Sequence, residues 1–169
     1  MFQLGDKVTY GIHGVCQIVG IESKKIDRKI VEYYVLEPAD QLGSRFYVPT
    51  HNEIAVSKLS PVLSKAELDS LLHSAEVLAG AWIADENQRK QKYRELISSG
   101  NRVALLQMMH ALLEHKRQQI EAGRKFHQCD ENFLRDAQKL LSDEFALVLG
   151  ISKESVADYI RNALEQQKM

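Results

Sequence analysis

Gly80-Ala81-Trp82-Ile83-Ala84-Asp85-Glu86-Asn87-Gln88-Arg89-Lys90-Gln91-Lys92-Tyr93-Arg94-Glu95-Leu96-Ile97 is where the chain changes character, and it contains the only tryptophan. The residues before it read as β and those after it read as α. Asp85 suits a helix cap, since its carboxylate accepts orphan backbone N–H groups while Gln88, three residues on, reaches back. Arg89, Lys90, Lys92 and Arg94 crowd that helix. Few of its positions are apolar, so Tyr93, Leu96 and Ile97 must anchor it. Trp82 therefore sits just outside a helix start, beside a mostly solvated cationic face. It has two readings. Either the indole closes the lid of a helical core, or it is exposed to wedge beside a base while the cations hold phosphates.

Upstream, residues 5–59 read as short strands punctuated by turns. Lys7–Tyr10 lies between Gly5-Asp6 and the Gly11-Ile12-His13-Gly14 turn. Val15–Ile21 and Ile30–Leu36 are rich in β-branched and aromatic residues. The polar run Lys24–Lys29 between them is expected to be an exposed hairpin end. Arg45–Val48 makes a fourth strand, which Pro49 confines to an edge or end. Ile54-Ala55-Val56 suits a short fifth strand, and Ser60-Pro61 ends the β pattern. Five short strands in this length suggest a small SH3-like or Tudor-like barrel, an architecture used for binding. Its Phe46-Tyr47-Val48 edge is either open to a partner's strand or covered by the protein itself.

Between that β part and Gly80, Ser64-Lys65-Ala66-Glu67 is a capping box opening a helix with Leu68, Leu71 and Leu72 on one face, fading through Ala79-Gly80. Gly100 suits the end of the helix that Asp85 starts. Asn101 is placed to cap the next, with Leu105, Leu106, Met109, Leu112 and Leu113 at helical spacing and a basic far end. Asp130 is read as the cap of another, apolar through Phe133, Leu134, Ala137, Leu141 and Phe145. Gly150 stops it, and Val156, Tyr159, Ile160 and Leu164 line a last helix. Four or five helices with one buried stripe each make a bundle. The expected class is α+β: a β domain over residues 1–60 and a helical domain over residues 61–169.

Composition narrows the function. The 169 residues are 44% hydrophobic and 27% charged with net charge −1, so nucleic-acid binding must come from a local patch rather than the whole molecule. The cations gather between Arg89 and Lys125, and the segment beyond is acidic. Two cysteines give no disulfide framework, and the opening residues lack the regions of a signal peptide, which points to the cytosol. No metal signature appears: His127 and Cys129 flank one residue, His110 and His115 share a predicted helix, and neither completes a ligand set. Cys16 is a strand filler and no nucleophile–base pattern is present. No enzyme, cofactor or metal is expected.

Phe2–Ile18, with Gly5-Asp6-Lys7-Val8, Tyr10-Gly11-Ile12-His13-Gly14 and Val15-Cys16, resembles the opening of the bacterial CarD/CdnL transcription regulators. The same pattern is shared by the RNA-polymerase-interacting domain of transcription-repair coupling factors. Trp82, Tyr93–Gly100 and Leu140–Gly150 resemble the helical half of the CarD/CdnL type, so the similarity runs along almost the whole chain. The resemblance implies a Tudor-like domain that pairs strand to strand with the RNA polymerase β subunit, through Lys24, Ile26 and the Tyr47-Val48 edge. It also implies a helical domain that contacts promoter DNA at the upstream fork of the transcription bubble. There a tryptophan, matched by Trp82, wedges into the minor groove and slows bubble collapse. The accompanying cations would be Arg89, Lys90, Lys92 and Arg94, with Arg124 and Lys125 as a second phosphate contact. A monomer with weak, largely non-specific DNA binding of its own is expected. The rival is a protein–protein adaptor in which Trp82 anchors an interface.

Overall fold

The computed structural model describes residues 1–166, so the last three positions of the expected 61–169 domain lie outside the described residues. The chain forms two compact units, Met1–Val62 and Leu63–Met169.

The first unit is a five-stranded antiparallel sheet of β1 (Lys7–Tyr10), β2 (Val15–Ile26), β3 (Lys29–Pro38), β4 (Phe46–Pro49) and β5 (Leu59–Pro61), in the order β4-β3-β2-β1-β5. A 3₁₀ turn over Gly11–His13 joins β1 to β2, and Gly11 and Gly14 both take positive φ there. Val8, Cys16, Ile18, Tyr34, Leu36, Val48 and Leu59 bury together on one face. The α+β class and the Tudor-like first domain agree with the sequence reading.

Three local expectations are corrected. Ile54-Ala55-Val56 is not a strand but part of a one-turn helix, α1 (Glu53–Val56), because the Asn52 side chain accepts the Ala55 N–H and starts a turn. The fifth strand instead runs through Ser60-Pro61, pairing with β1 at the sheet edge, where Pro61 does not interrupt a ladder. Lys24–Lys29 is the exposed hairpin end expected, but its strands run further than Ile21 and Ile30: β2 and β3 stay paired out to Ile26↔Lys29, leaving only Asp27-Arg28 in the turn. Both turn residues have positive φ (47° and 67°), the twist that a two-residue hairpin requires.

The second unit holds, among the described residues, six helices: α2 (Lys65–Leu72), α3 (Ala75–Leu78), α4 (Glu86–Ser99), α5 (Arg102–Glu121), α6 (Gln128–Leu149) and α7 (Lys153–Glu165). The Ser64–Glu67 capping box forms with both bonds, at 3.1 and 2.7 Å. The helix it opens stops sooner than expected, since Ser74 caps a separate turn, α3. Asp85 accepts the Gln88 N–H and Asn101 the Ala104 N–H, as their positions predict. Gly100 and Gly150 take left-handed φ at the ends of α4 and α6. Leu72, Leu106, Met109, Leu112, Phe145 and Ile160 are among the fully buried side chains of the core. Glu144, also buried, takes two bonds of 2.6 Å from Arg102 and one of 3.0 Å from the Leu63 N–H, fastening the start of this unit to α6. Asp130 is not the cap of α6. The helix begins at Gln128, and Asp130 turns inward from its first turn.

Candidate functional site

In the first unit, β4 is an outer strand with β3 on one side only. Strand alternation and register place Lys24 and Ile26 of β2 on the same face as Tyr33 of β3 and Tyr47 of β4. The Lys24 ammonium lies 3.6 Å from the Tyr47 ring centroid and 6.0 Å from that of Tyr33, and the two rings meet edge to face. An exposed contact of this kind is worth about 0.5–1 kcal/mol, enough to fix a lysine that would otherwise be mobile. Ile26 and Tyr47 remain exposed. The structure thus brings together three of the four positions named for polymerase docking. Val48 is different: its side chain is fully buried on the opposite face, so it offers only its backbone. Tyr33, which completes the cation–aromatic cluster, was missed. Its place in the Ile30–Leu36 alternation was the signal that could have found it.

In the second unit, the segment carrying Trp82 lies across α5. Gly80 packs so closely that a Cβ on it would come 2.2 Å from the Gln107 carbonyl oxygen. The Gln107 amide in turn donates to the Glu76 carbonyl at 2.8 Å. Two turns further along α5, Trp82 stacks on His115 with ring centroids 3.7 Å apart and planes 8° from parallel. Phe126 lies 6.3 Å beyond His115, and the Lys116 ammonium sits over Phe126. Trp82 is half-buried, packed against the helical core without being enclosed by it.

Arg89 corrects the expectation of a solvated cationic face. It is only 5% exposed and points into the unit. Its Nε and Nη2 donate to the two Asp130 carboxylate oxygens at 2.9 and 3.1 Å, and its Nη1 donates to the Ile83 carbonyl at 3.0 Å. The guanidinium carbon lies 4.3 Å from the Trp82 ring. A cation so paired and enclosed is not available to a phosphate. It holds the backbone just after Trp82 instead. The remaining cations do not share one face. Lys90 and Arg94 are one turn apart on one flank, and Lys90 is paired with Glu86 at 2.6 Å. Lys92 and Arg94, two residues apart, point about 160° from each other. Both are exposed, as are Arg124 and Lys125, whose loop precedes Phe126. His115 and Phe126 were not foreseen as neighbours of Trp82. From the sequence His115 reads only as a surface or half-buried residue that completes no ligand set, and it is half-buried.

Burial pushes the His115 imidazole below the ordinary histidine range. Asp130 opposes that shift, while the positive charges of Arg89 and His127 reinforce it. Among the described residues, no three His, Cys, Asp or Glu side chains gather as metal ligands, and no helix is long and apolar enough to cross a membrane.

The chain thus joins a small antiparallel sheet domain, whose outer strand β4 pairs on one side only, to a helical unit with a half-buried, stacked tryptophan. Residues 2–60, nearly the whole first unit, match the CarD-like/TRCF RID domain. Over 159 residues the chain is 22% identical to "Putative transcription factor YdeB" of Bacillus subtilis (strain 168), covering 94% of this chain and 99% of that relative. The two matches bear out the resemblance to the CarD/CdnL family.

Proposed function

We propose that this chain is a non-enzymatic, CarD-like transcription regulator of the cytoplasm. It docks on the RNA polymerase β subunit through the first unit. It then stabilises the promoter open complex by contacting DNA at the upstream edge of the transcription bubble through the second. The observation that carries this reading is the open β4 edge, bearing the Lys24–Tyr47 pair beside Ile26, within a domain that matches an RNA-polymerase-interacting class. Such an edge offers main-chain groups for strand addition, and the exposed side chains beside it supply selectivity.

The DNA-contacting part of the proposal rests on Trp82. Its indole is held between the His115 ring and the Arg89 guanidinium and is only half-buried, so part of it is open to a partner. Lys92, Arg94, Arg124 and Lys125 are the exposed cations available to phosphates. So few contacts hold DNA only weakly at physiological salt. Tethering to polymerase raises the effective concentration of DNA enough for a weak patch to act. If Trp82 favours the open state by about 1–2 kcal/mol, the open population relative to closed rises roughly five- to thirtyfold.

The test is the lifetime of a competitor-challenged open complex formed with the cognate polymerase, with wild type and with Trp82→Ala. A longer lifetime with wild type, lost in the variant at unchanged polymerase binding, is expected. Lys24→Glu with Tyr47→Ala is expected to abolish capture of the β subunit. Equal lifetimes for wild type and Trp82→Ala would overturn the DNA role and return Trp82 to the adaptor reading, as an anchor for a protein partner.

A further inference from the structure

We propose that His115 is a positioning residue for Trp82: its imidazole is the platform that fixes the indole, and proton uptake by that ring releases it. The proposal rests on the reading of Trp82 as the DNA contact for its functional consequence, but not for its geometry.

The geometry comes first. Rings 3.7 Å apart and 8° from parallel are in full face contact, so His115 fixes both the height and the tilt of the indole. The backbone beside Trp82 is independently held, by Gly80 against Gln107 and by Arg89 on the Ile83 carbonyl. With the backbone anchored at both flanks, the side chain's rotamer is left to be set, and the His115 ring sets it against the Arg89 guanidinium. A wedge must be pre-oriented, because ordering a loose side chain on contact costs binding free energy.

The platform is titratable and its surroundings favour the neutral ring. The Gln119 side-chain amide nitrogen lies 3.1 Å from His115 Nε2. A donor there requires Nε2 to accept, which it does only in the neutral ring with its proton on Nδ1. Protonation turns this contact into donor against donor, relieved only if the amide flips. From α4, the Arg89 guanidinium already lies over the same indole, so a second cation on that ring system meets like charge. His127, from the loop entering α6, adds positive charge when protonated, and Asp130 of α6 is the one opposing group, already committed to Arg89. On α5 itself Lys116 adjoins His115, with its ammonium engaged by Glu131 at 3.0 Å. The stacked state therefore binds the proton less well than a free histidine. The stack is fully present above the ordinary histidine value of about 6.5 and weakens as pH falls through that value towards the lowered one.

The single tryptophan makes the test direct, because all indole emission comes from Trp82. Release from the imidazole exposes the indole to water, which shifts its emission to the red and opens it to iodide. Steady-state fluorescence and iodide accessibility of the full-length chain are followed against pH for wild type, His115→Phe, His115→Ala and His127→Gln. His115→Phe keeps a flat ring without a titratable proton, and His115→Ala on a half-exposed helix position leaves helix propensity intact. The expected result is a red shift and a rise in iodide accessibility on acidification, with a midpoint below the ordinary histidine value. Both should be absent in His115→Phe and retained in His127→Gln, with higher iodide accessibility at neutral pH in His115→Ala. A transition that persists in His115→Phe, or iodide accessibility in His115→Ala equal to wild type, overturns the proposal.

The functional arm measures open-complex lifetime as the ratio with and without the protein at each pH, which removes the polymerase's own pH dependence. The wild-type ratio is expected to fall on acidification, the His115→Phe ratio to stay level, and the His115→Ala ratio to drop towards that of Trp82→Ala. If Trp82→Ala lowers the ratio and His115→Ala does not, His115 does not position the working indole and the proposal is overturned. If fluorescence behaves as expected but Trp82→Ala leaves the lifetime unchanged, the positioning of the indole stands and the DNA role of Trp82 fails.

Discussion

Arg89 and Asp130, 41 residues apart in sequence, meet in a two-bond ion pair with both side chains buried. The pair joins the first turn of α6 to the first turn of α4, and the third guanidinium bond reaches the Ile83 carbonyl beside Trp82. Two charges withdrawn from water are tolerated because the carboxylate takes two parallel N–H bonds and the guanidinium is satisfied on three nitrogens. The arrangement is a clamp that holds the backbone after Trp82 to α4 and α6.

Removing one partner strands the other charge. Asp130→Ala is expected to cost about 3–5 kcal/mol of folding free energy, and Arg89→Ala a similar amount, with the double variant well short of the sum. Denaturant titration followed by circular dichroism measures this. Single losses below about 1 kcal/mol would show that the pair is not enclosed as described.

Gly80 tests the same segment from its other flank. A methyl group there has no space, since the obstacle is the backbone carbonyl of Gln107 in the middle of α5 and not a side chain that can swing away. Gly80→Ala is expected to push the segment off the helix, at a cost of roughly 1–3 kcal/mol. Trp82 emission should shift to the red as the indole loses His115. An unshifted spectrum with unchanged stability would contradict this packing.

Much of this region is legible in the sequence and some is not, along a clear physical line. Caps are local: Ser64, Asp85 and Asn101 bind backbone N–H groups three residues away, so their roles follow from spacing alone. Asp130 carries the same chemistry at a plausible cap position, but its partner lies on another helix, and no short-range pattern announces that. Arg89 reads with its neighbours Lys90 and Lys92 as one cationic run, although its position one turn before the buried Tyr93 places it on the inner face. In the sheet, Ile54-Ala55-Val56 has strand composition, yet the Asn52 cap decides the turn. The β2–β3 hairpin reads too short because its outer residues are exposed on both faces, and strands without a buried face leave no hydrophobic alternation to see.

Tyr93 gives a prediction at alkaline pH. Its hydroxyl is buried without a hydrogen-bond partner among the described residues, and burial pushes its pKa up to about 12 against an ordinary 10.0. Asp130 adds to the shift and Arg89 opposes it. Because the folded value is the higher, the unfolded chain loses its proton first. This contribution is therefore fully present below about pH 10 and is lost as pH rises towards 12, amounting to roughly 2–3 kcal/mol. Tyr93→Phe removes both the titration and an unsatisfied polar atom. At neutral pH it is expected to be neutral or up to about 1 kcal/mol stabilising. Between pH 10 and 12 its stability should decline less steeply than that of wild type. Parallel decline in the two proteins would exclude Tyr93 as the source.

The exposed cations make the DNA part of the proposed function quantitative. Each phosphate neutralised contributes about 0.9 to the slope of log affinity against log salt. Arg124 and Lys125 are adjacent on the loop beside Phe126, so neutralising both with Gln is expected to lower the slope by up to roughly 1.8. Lys92 and Arg94 point away from each other around α4, so one duplex meets only one of them. Their double substitution is expected to lower the slope by only about 0.9. Arg89→Gln, whose charge is committed to Asp130, should reduce stability while leaving the slope of the folded protein nearly unchanged. The measurement is fluorescence anisotropy of a fork-junction DNA over a salt series, at a temperature where every variant is folded. A loss of about two contacts from Lys92 and Arg94 together would mean that the DNA wraps α4. Indifference to all four substitutions would remove these side chains from the proposed interface.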